Sequence, residues 1–217
     1  MIDLFLTEAL PVFVDGIQAT LFYALGCLVV GFPIAVLICA MRMSTIGPLK
    51  ALATVYISFL RGVPLMVQLL ISFYCLPVLG VNVAPWAAAL FTLAICTSAY
   101  MAEILRGGFL GIPYGQIEAA QISGLTRRQI LLWIQVPQAV RLTLPALVNE
   151  AVAMVKASSL ISVVGVLDLT RAAQNVASST YQPLTFYTVA GALYLVITMS
   201  VATGGRWLER RMAAGRR

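Results

Sequence analysis

Polar side chains recur at helical spacing inside otherwise oily stretches of this sequence, where they could bind or pass a polar solute. Arg61 and Gln68 are seven residues apart and share a helix face, continued by Ser72 and Cys75. Thr92, Cys96 and Glu103 make a second stripe, and Asn149, Lys156 and Ser159 a third. An ionisable group at mid-bilayer costs at least about 2.5–3.5 kcal/mol on insertion scales, so each one needs a reason. Arg106 is one helical turn from Glu103, which allows an intrahelical pair. Arg61, Arg106 and Glu150 therefore read as salt bridges or a gate, with direct solute contact as the alternative. Lys156 stands about 120° around the helix from Glu150, so those two should not pair. It could attract a solute carboxylate, or hold a neighbouring span or broken backbone in place. The Ser158 and Ser159 hydroxyls are expected to bond local carbonyls first and to serve a pathway second.

Other chemistries are excluded. The chain has no histidine, which removes histidine metal ligands and histidine bases. It lacks GxxxxGK[ST], so it has no phosphate loop of that type and is not expected to hydrolyse ATP itself. The cysteines Cys27, Cys39, Cys75 and Cys96 lie in apolar runs without CxxC spacing and read as small buried hydrophobes. No cofactor is expected in this chain.

The elements that must carry these stripes follow from composition. The hydrophobic fraction is 61% and the charged fraction 10%, against roughly 45–50% and about 25% in soluble domains. The charge-free stretch Gly16–Met41 would make roughly 39 Å of helix, longer than the roughly 30 Å hydrocarbon core. An all-α integral membrane protein results. Five spans fit: Gly16–Met41, Leu52–Leu79, Trp86–Leu105, a fourth from near Pro145 to Val166, and Leu184–Thr203. Pro85, Pro145 and Pro183 each stand where a helix could begin. The N-terminus carries Asp3, Glu8 and Asp15 and no basic residue, unlike a secretory signal, so the first span is expected to be retained. Arg42, Lys50, Arg106, Arg127, Arg128, Arg141 and the tail ERRMAAGRR fall on one side, and Arg171 on the other. Positive charge stays inside, which puts the N-terminus outside and the C-terminus in the cytoplasm. Glu103, Arg106, Arg61 and Glu150 then fall toward the cytoplasmic third. The basic tail reads as an orientation and lipid-headgroup anchor, not as a nucleic-acid site. No internal repeat is seen, and residues 1–217 are expected to form one transmembrane domain.

Within it, residues 107–138 make a polar cytoplasmic loop. GGFLGIPYG is a breaker-rich lead-in. Ile117–Ser123 can form a short helix with Glu118 in its first turn, favoured by the dipole, and Gly124 placed for a left-handed cap. LTRRQILLWIQV is a second helix, capped by a T-x-x-Q box from Thr126 to Gln129 and closed by Pro137. The loop is either a solvated connection or a docking helix. In the second case Ala119 and Ala120 permit close approach, and Ile122 and Leu125 anchor a partner.

Glu118-Ala119-Ala120, then Gly124 four residues after Ala120, then Ile134-x-Val136-Pro137 resembles the EAA signature of ABC-transporter permease subunits, with valine for the usual leucine at 136. RGVPLMVQL, SAYMAEILRGG and VKASSL are similar to the polar-amino-acid uptake permeases of binding-protein-dependent importers. Ala157 departs from that family, which usually has an acidic residue or asparagine there. The resemblance implies a type I importer permease core in a bacterial inner membrane. It implies pairing with a second copy or a sister permease, ATPase subunits that use ATP and Mg and grip the EAA loop, and an extracytoplasmic solute-binding protein. The rival readings are an ATPase-independent secondary carrier or channel, a membrane scaffold protein, and an ABC permease for another solute such as an opine.

Overall fold

Apolar runs of this length satisfy their backbone groups internally by forming helices, and a computed structural model shows helices throughout. It describes residues 9–214. Asp3, Glu8, Arg216 and Arg217, which enter the orientation argument, lie outside the described residues. Helix α1 is Leu10–Met43, longer than its apolar run requires. The second span is two helices, α2 (Gly47–Gly62) and α3 (Leu65–Val78), bent by 102°. Next come α4 (Pro85–Leu110) and the short α5 (Tyr114–Ile122). Helix α6 runs Arg127–Val164, α7 is Leu169–Thr180, and α8 is Pro183–Ala214.

Three sequence expectations are corrected. The single second span breaks at Gly62-Val63-Pro64, because a residue before proline is driven out of the helical region. Val63 is extended, at φ −91° and ψ 131°. Arg61 and Gln68 therefore do not share one helix face. Pro137 does not close a helix, nor does Pro145 open one; both lie inside α6. Ile130–Gln135 winds as a π-helix just before Pro137, a register shift that accommodates a residue without a donor. The helix ends as a 3-10 turn over Ser158–Val164, capped by Gly165 at φ +77°. Finally, a helix, α7, lies between the fourth and fifth spans, where the sequence reading places none. Asp168 caps it, with its carboxylate accepting from the backbone of Thr170 and Arg171 at 3.0 and 2.8 Å. Pro85 and Pro183 do begin helices.

Small residues set the packing. A side chain at Gly31 would meet the Ala94 carbonyl at 2.8 Å, and one at Gly16 the Cβ of Ala172 at 2.8 Å. Gly108 lies against Thr143 and the Ala139 carbonyl, and Gly205 against Val148. Helix α4 is thereby enclosed by α1 and α6, while α8 leaves most of its surface open. One apolar cluster joins Ala9, Phe13, Leu169, Val176 and Phe186 at the N-terminal end. A second fills the middle around Tyr23, Leu69, Leu93 and Ile161. A third joins Ile38, Ile57 and Leu105 toward the end that carries α5. Tyr194 ties α8 to α7 through a 2.9 Å bond to Asp168, and Thr20 of α1 accepts from the Leu169 backbone at 3.0 Å. Burial pushes the Asp168 carboxyl above its ordinary value, while its hydrogen-bond donors pull the other way.

Candidate coupling loop and polar path

The polar loop is built from two capped pieces. Helix α5 begins at Tyr114, after Pro113, so Glu118 lies past the first turn where the sequence reading put it. Gly124 adopts φ +79°. Its N–H donates to Gln121 O at 3.0 Å and that of Leu125 to Ala120 O at 3.1 Å, the two bonds of a Schellman cap. The Thr126 capping box is present: Gln129 Oε1 accepts from the Thr126 N–H at 2.8 Å, and Thr126 Oγ1 from the Gln129 N–H at 3.4 Å. These caps leave one tight turn, Ser123–Thr126, between α5 and α6.

The loop residues divide between two faces. Glu118 and Ala119 are exposed, and Ile122 is 88% exposed. Ala120 is buried against the chain itself, so its small side chain serves the seat of α5 on the π-helical segment. Leu125 is half-buried. Between α5 and α6 lies an open groove lined by Gln116, Ala120, Leu125, Trp133, Gln138 and Arg141.

The polar stripes part company in three dimensions. Gln68 is 5% exposed, and its Nε2 donates to Leu60 O and Val63 O at 2.8 Å each, satisfying carbonyls freed by the helix break. It shares with Ser72 and Thr92 a mostly apolar cavity of about 180 Å³. On α4, Glu103 accepts from Arg106 Nη2 at 2.7 Å and Nε at 2.9 Å, and Arg42 of α1 stands 4.0 Å away. Arg61, exposed, lies over the Tyr100 ring at 5.2 Å. Glu150 is buried, and Thr97 Oγ1 donates to it at 3.4 Å. Asn149 and Lys156 are exposed on α6. The Ser158 and Ser159 hydroxyls donate to the carbonyls three residues back, at 2.8 and 2.7 Å. Cys75 is exposed, unlike the other three cysteines.

Tyr100, Thr97 and Arg42 were not singled out as partners in the sequence. For Tyr100 and Thr97 a signal stands in the spacing, since Tyr100 is one turn from Glu103 and Thr97 one turn from Tyr100. Arg42 could be placed only by the packing of α1 on α4.

Residues 29–214 match the family described as binding-protein-dependent transport system inner membrane component. A probable glutamine ABC transporter permease, GlnM of Bacillus subtilis, is 35% identical and is aligned over 95% of this chain and 96% of its own length. The octopine transport system permease OccM of Rhizobium meliloti is 38% identical over 96% of this chain and 91% of its own length. A solved amino acid ABC transporter with histidines superposes with a TM-score of 0.90 at 37% identity, over 95% of this chain and 96% of that one. The MetNI methionine ABC transporter, inward facing, shares the fold at a TM-score of 0.75 and 21% identity. With a full-length all-helical likeness and a matched family region that takes in both the broken span and the capped loop, this chain belongs to the inner membrane components of binding-protein-dependent transport systems, and is a transport permease rather than an enzyme.

Proposed function

We propose that this chain is the membrane-spanning permease subunit of an ATP-driven importer for a polar amino acid. Its N-terminus lies outside and its basic tail in the cytoplasm. It forms the translocation path with a second copy or a sister permease. A separate ATPase subunit hydrolyses ATP with Mg and grips the EAA loop through Glu118, Ala119, Ile122, Gly124 and Leu125, with Ala120 seating the helix. An extracytoplasmic binding protein delivers the solute. The observation that carries this reading is the capped loop. Two caps and a tight turn hold α5 against the base of α6, so force applied to α5 reaches a span directly. Asn149 and Lys156 stand on an exposed face, where Lys156 can meet an α-carboxylate. Gln68, Ser72, Ser158 and Ser159 form the more enclosed part of the path, and Glu103 with Arg106 closes its loop end. The octopine relative, at 38% identity, favours a second reading in which the solute is an amino acid conjugate.

The test is uptake of labelled amino acids and of octopine in the native cell, with and without the chain. Loss of glutamine-class uptake that survives a protonophore but not ATP depletion supports the importer. Uptake abolished by the protonophore alone would make it a secondary carrier.

A further inference from the structure

The break in the second span leaves a charged residue with no settled partner. Arg61 is the penultimate residue of α2, next to the Gly62-Val63-Pro64 break, and forms no ion pair among the described residues. Its guanidinium rests on the Tyr100 ring. Along α4 from Tyr100, Thr97 lies about one turn toward one end and Glu103 about one turn toward the other, displaced about 60° to opposite sides of the ring. Thr97 touches Glu150, and Glu103 is already held by Arg106, with Arg42 beside it. Arg61 on Tyr100 thus lies between the engaged Glu103 and Thr97, the residue that contacts Glu150 of α6. Both carboxylates lie within its electrostatic reach.

The two carboxylates are not equivalent. Glu150 is 9% exposed, has one long hydrogen bond, and makes no ion pair among the described residues. A carboxyl buried this way is costly to ionise without a partner, and a guanidinium is the side chain best shaped to stabilise its charged form. What Arg61 needs in order to reach it is movement of the end of α2. The break allows that. A side chain at Gly62 would meet nothing within 4 Å, and Val63 is already extended. Across the break the side-chain bonds come from the Gln68 amide, at 2.8 Å to Leu60 O and Val63 O, and from a long Cys96 Sγ contact to Leu60 O at 3.9 Å.

We propose that Arg61 is a positioning residue with two seats, one on the Tyr100 ring in the bent state seen here and one on Glu150 in a second state. Transfer between them swings α3 about Gly62–Pro64, and so couples the broken span to α4 and α6. The inference rests on the permease reading only for its transport readout.

The test uses a spin label on Cys75, the exposed cysteine of α3, in the complex purified from native membranes into nanodiscs. Tyr100→Leu removes the first seat and should raise a second spectral component at rest by threefold or more. Tyr100→Phe, which keeps the ring face, should leave the spectrum as in wild type. Adding Glu150→Gln to Tyr100→Leu should abolish the new component, and in an Arg61→Gln background Tyr100→Leu should do nothing. Arg61→Lys should keep part of the response, since it keeps charge but not the planar stack. In uptake assays Glu150→Gln should lower solute moved per ATP by about fivefold, with ATP hydrolysis within about twofold of wild type. A Tyr100→Leu spectrum like wild type, or a new component that persists with Glu150→Gln or Arg61→Gln, overturns the proposal. A wild-type complex without an ATPase would sink the importer reading and leave the resting spectra to decide on Arg61.

Discussion

Gly124 shows how one residue's backbone preference can fix the turn between two helices. At φ +79° a non-glycine residue is strained by about 1–2 kcal/mol, yet a Cβ there would meet nothing within 4 Å. Conformation, not space, fixes glycine at this position. We expect Gly124→Ala to weaken the Schellman bonds by roughly 1 kcal/mol, and amide exchange at Leu125 to rise about fivefold. Exchange as slow as in wild type would show that α5 is held by something other than its cap. Gly124→Asn, which tolerates the left-handed region, should lie between the two. Lys156 is legible in the opposite way, since its charge in an apolar run announces it. Its surroundings were not legible, because the 3-10 turn that follows it depends on packing around Ser158 and Ile161. Lys156→Ala should reduce uptake by an order of magnitude or more without altering the amount of chain in the membrane. Unchanged uptake kinetics would take Lys156 off the path.

At the scale of elements, what the sequence made legible was whatever depends on apolar length and local caps. The first, third and fifth spans, the Thr126 box and the Gly124 cap all follow from residues within a few positions of each other. The broken second span carried a local signal too, Gly62-Val63-Pro64, but the apolar run continues through it and a hydropathy reading does not see a bend. The continuity of α6 through Pro137 and Pro145 was hidden for another reason. Proline usually ends helices in water, whereas here the π-helical turn and the packing of α6 on α4 absorb the lost bonds. Helix α7 is short, and only the 3,4 spacing of Leu169, Ala172, Ala173 and Val176 behind Asp168 marks it. The α4–α6 contact offers a paired test. Gly108→Leu would drive a side chain into Thr143 and the Ala139 carbonyl. We expect a loss of about 1–3 kcal/mol and a melting temperature lower by on the order of 5 °C. Gly107→Leu, one residue away with nothing within 4 Å, should melt as wild type does. If the two variants melted alike, close packing of α4 on α6 would not be what holds the loop end together.

For the whole molecule, the distribution of exposed surface separates what the chain needs for itself from what it offers to others. Its apolar flanks are expected where lipid or a partner span covers them, as at Val29, Val55 and Leu195. Ile122 is different, because it projects from a polar loop at the end of the molecule that carries the basic residues Arg127, Arg128 and Arg141. At 88% exposure it contributes almost no burial to the chain's own fold. Ile122→Asp should therefore change the chain's stability by no more than about 0.5 kcal/mol, and the variant should insert and purify as wild type does. A docked ATPase would bury that side chain, and a carboxylate in an apolar socket would weaken the joint by about 1.4 kcal/mol or more, at least tenfold in affinity. Titrating the purified ATPase against both forms in nanodiscs separates the possibilities. Tenfold weaker binding with an unchanged melting temperature makes Ile122 an anchor of the joint. Equal binding removes it, and shifts the contact to Glu118 and Ala119 or to Leu125 in the groove between α5 and α6.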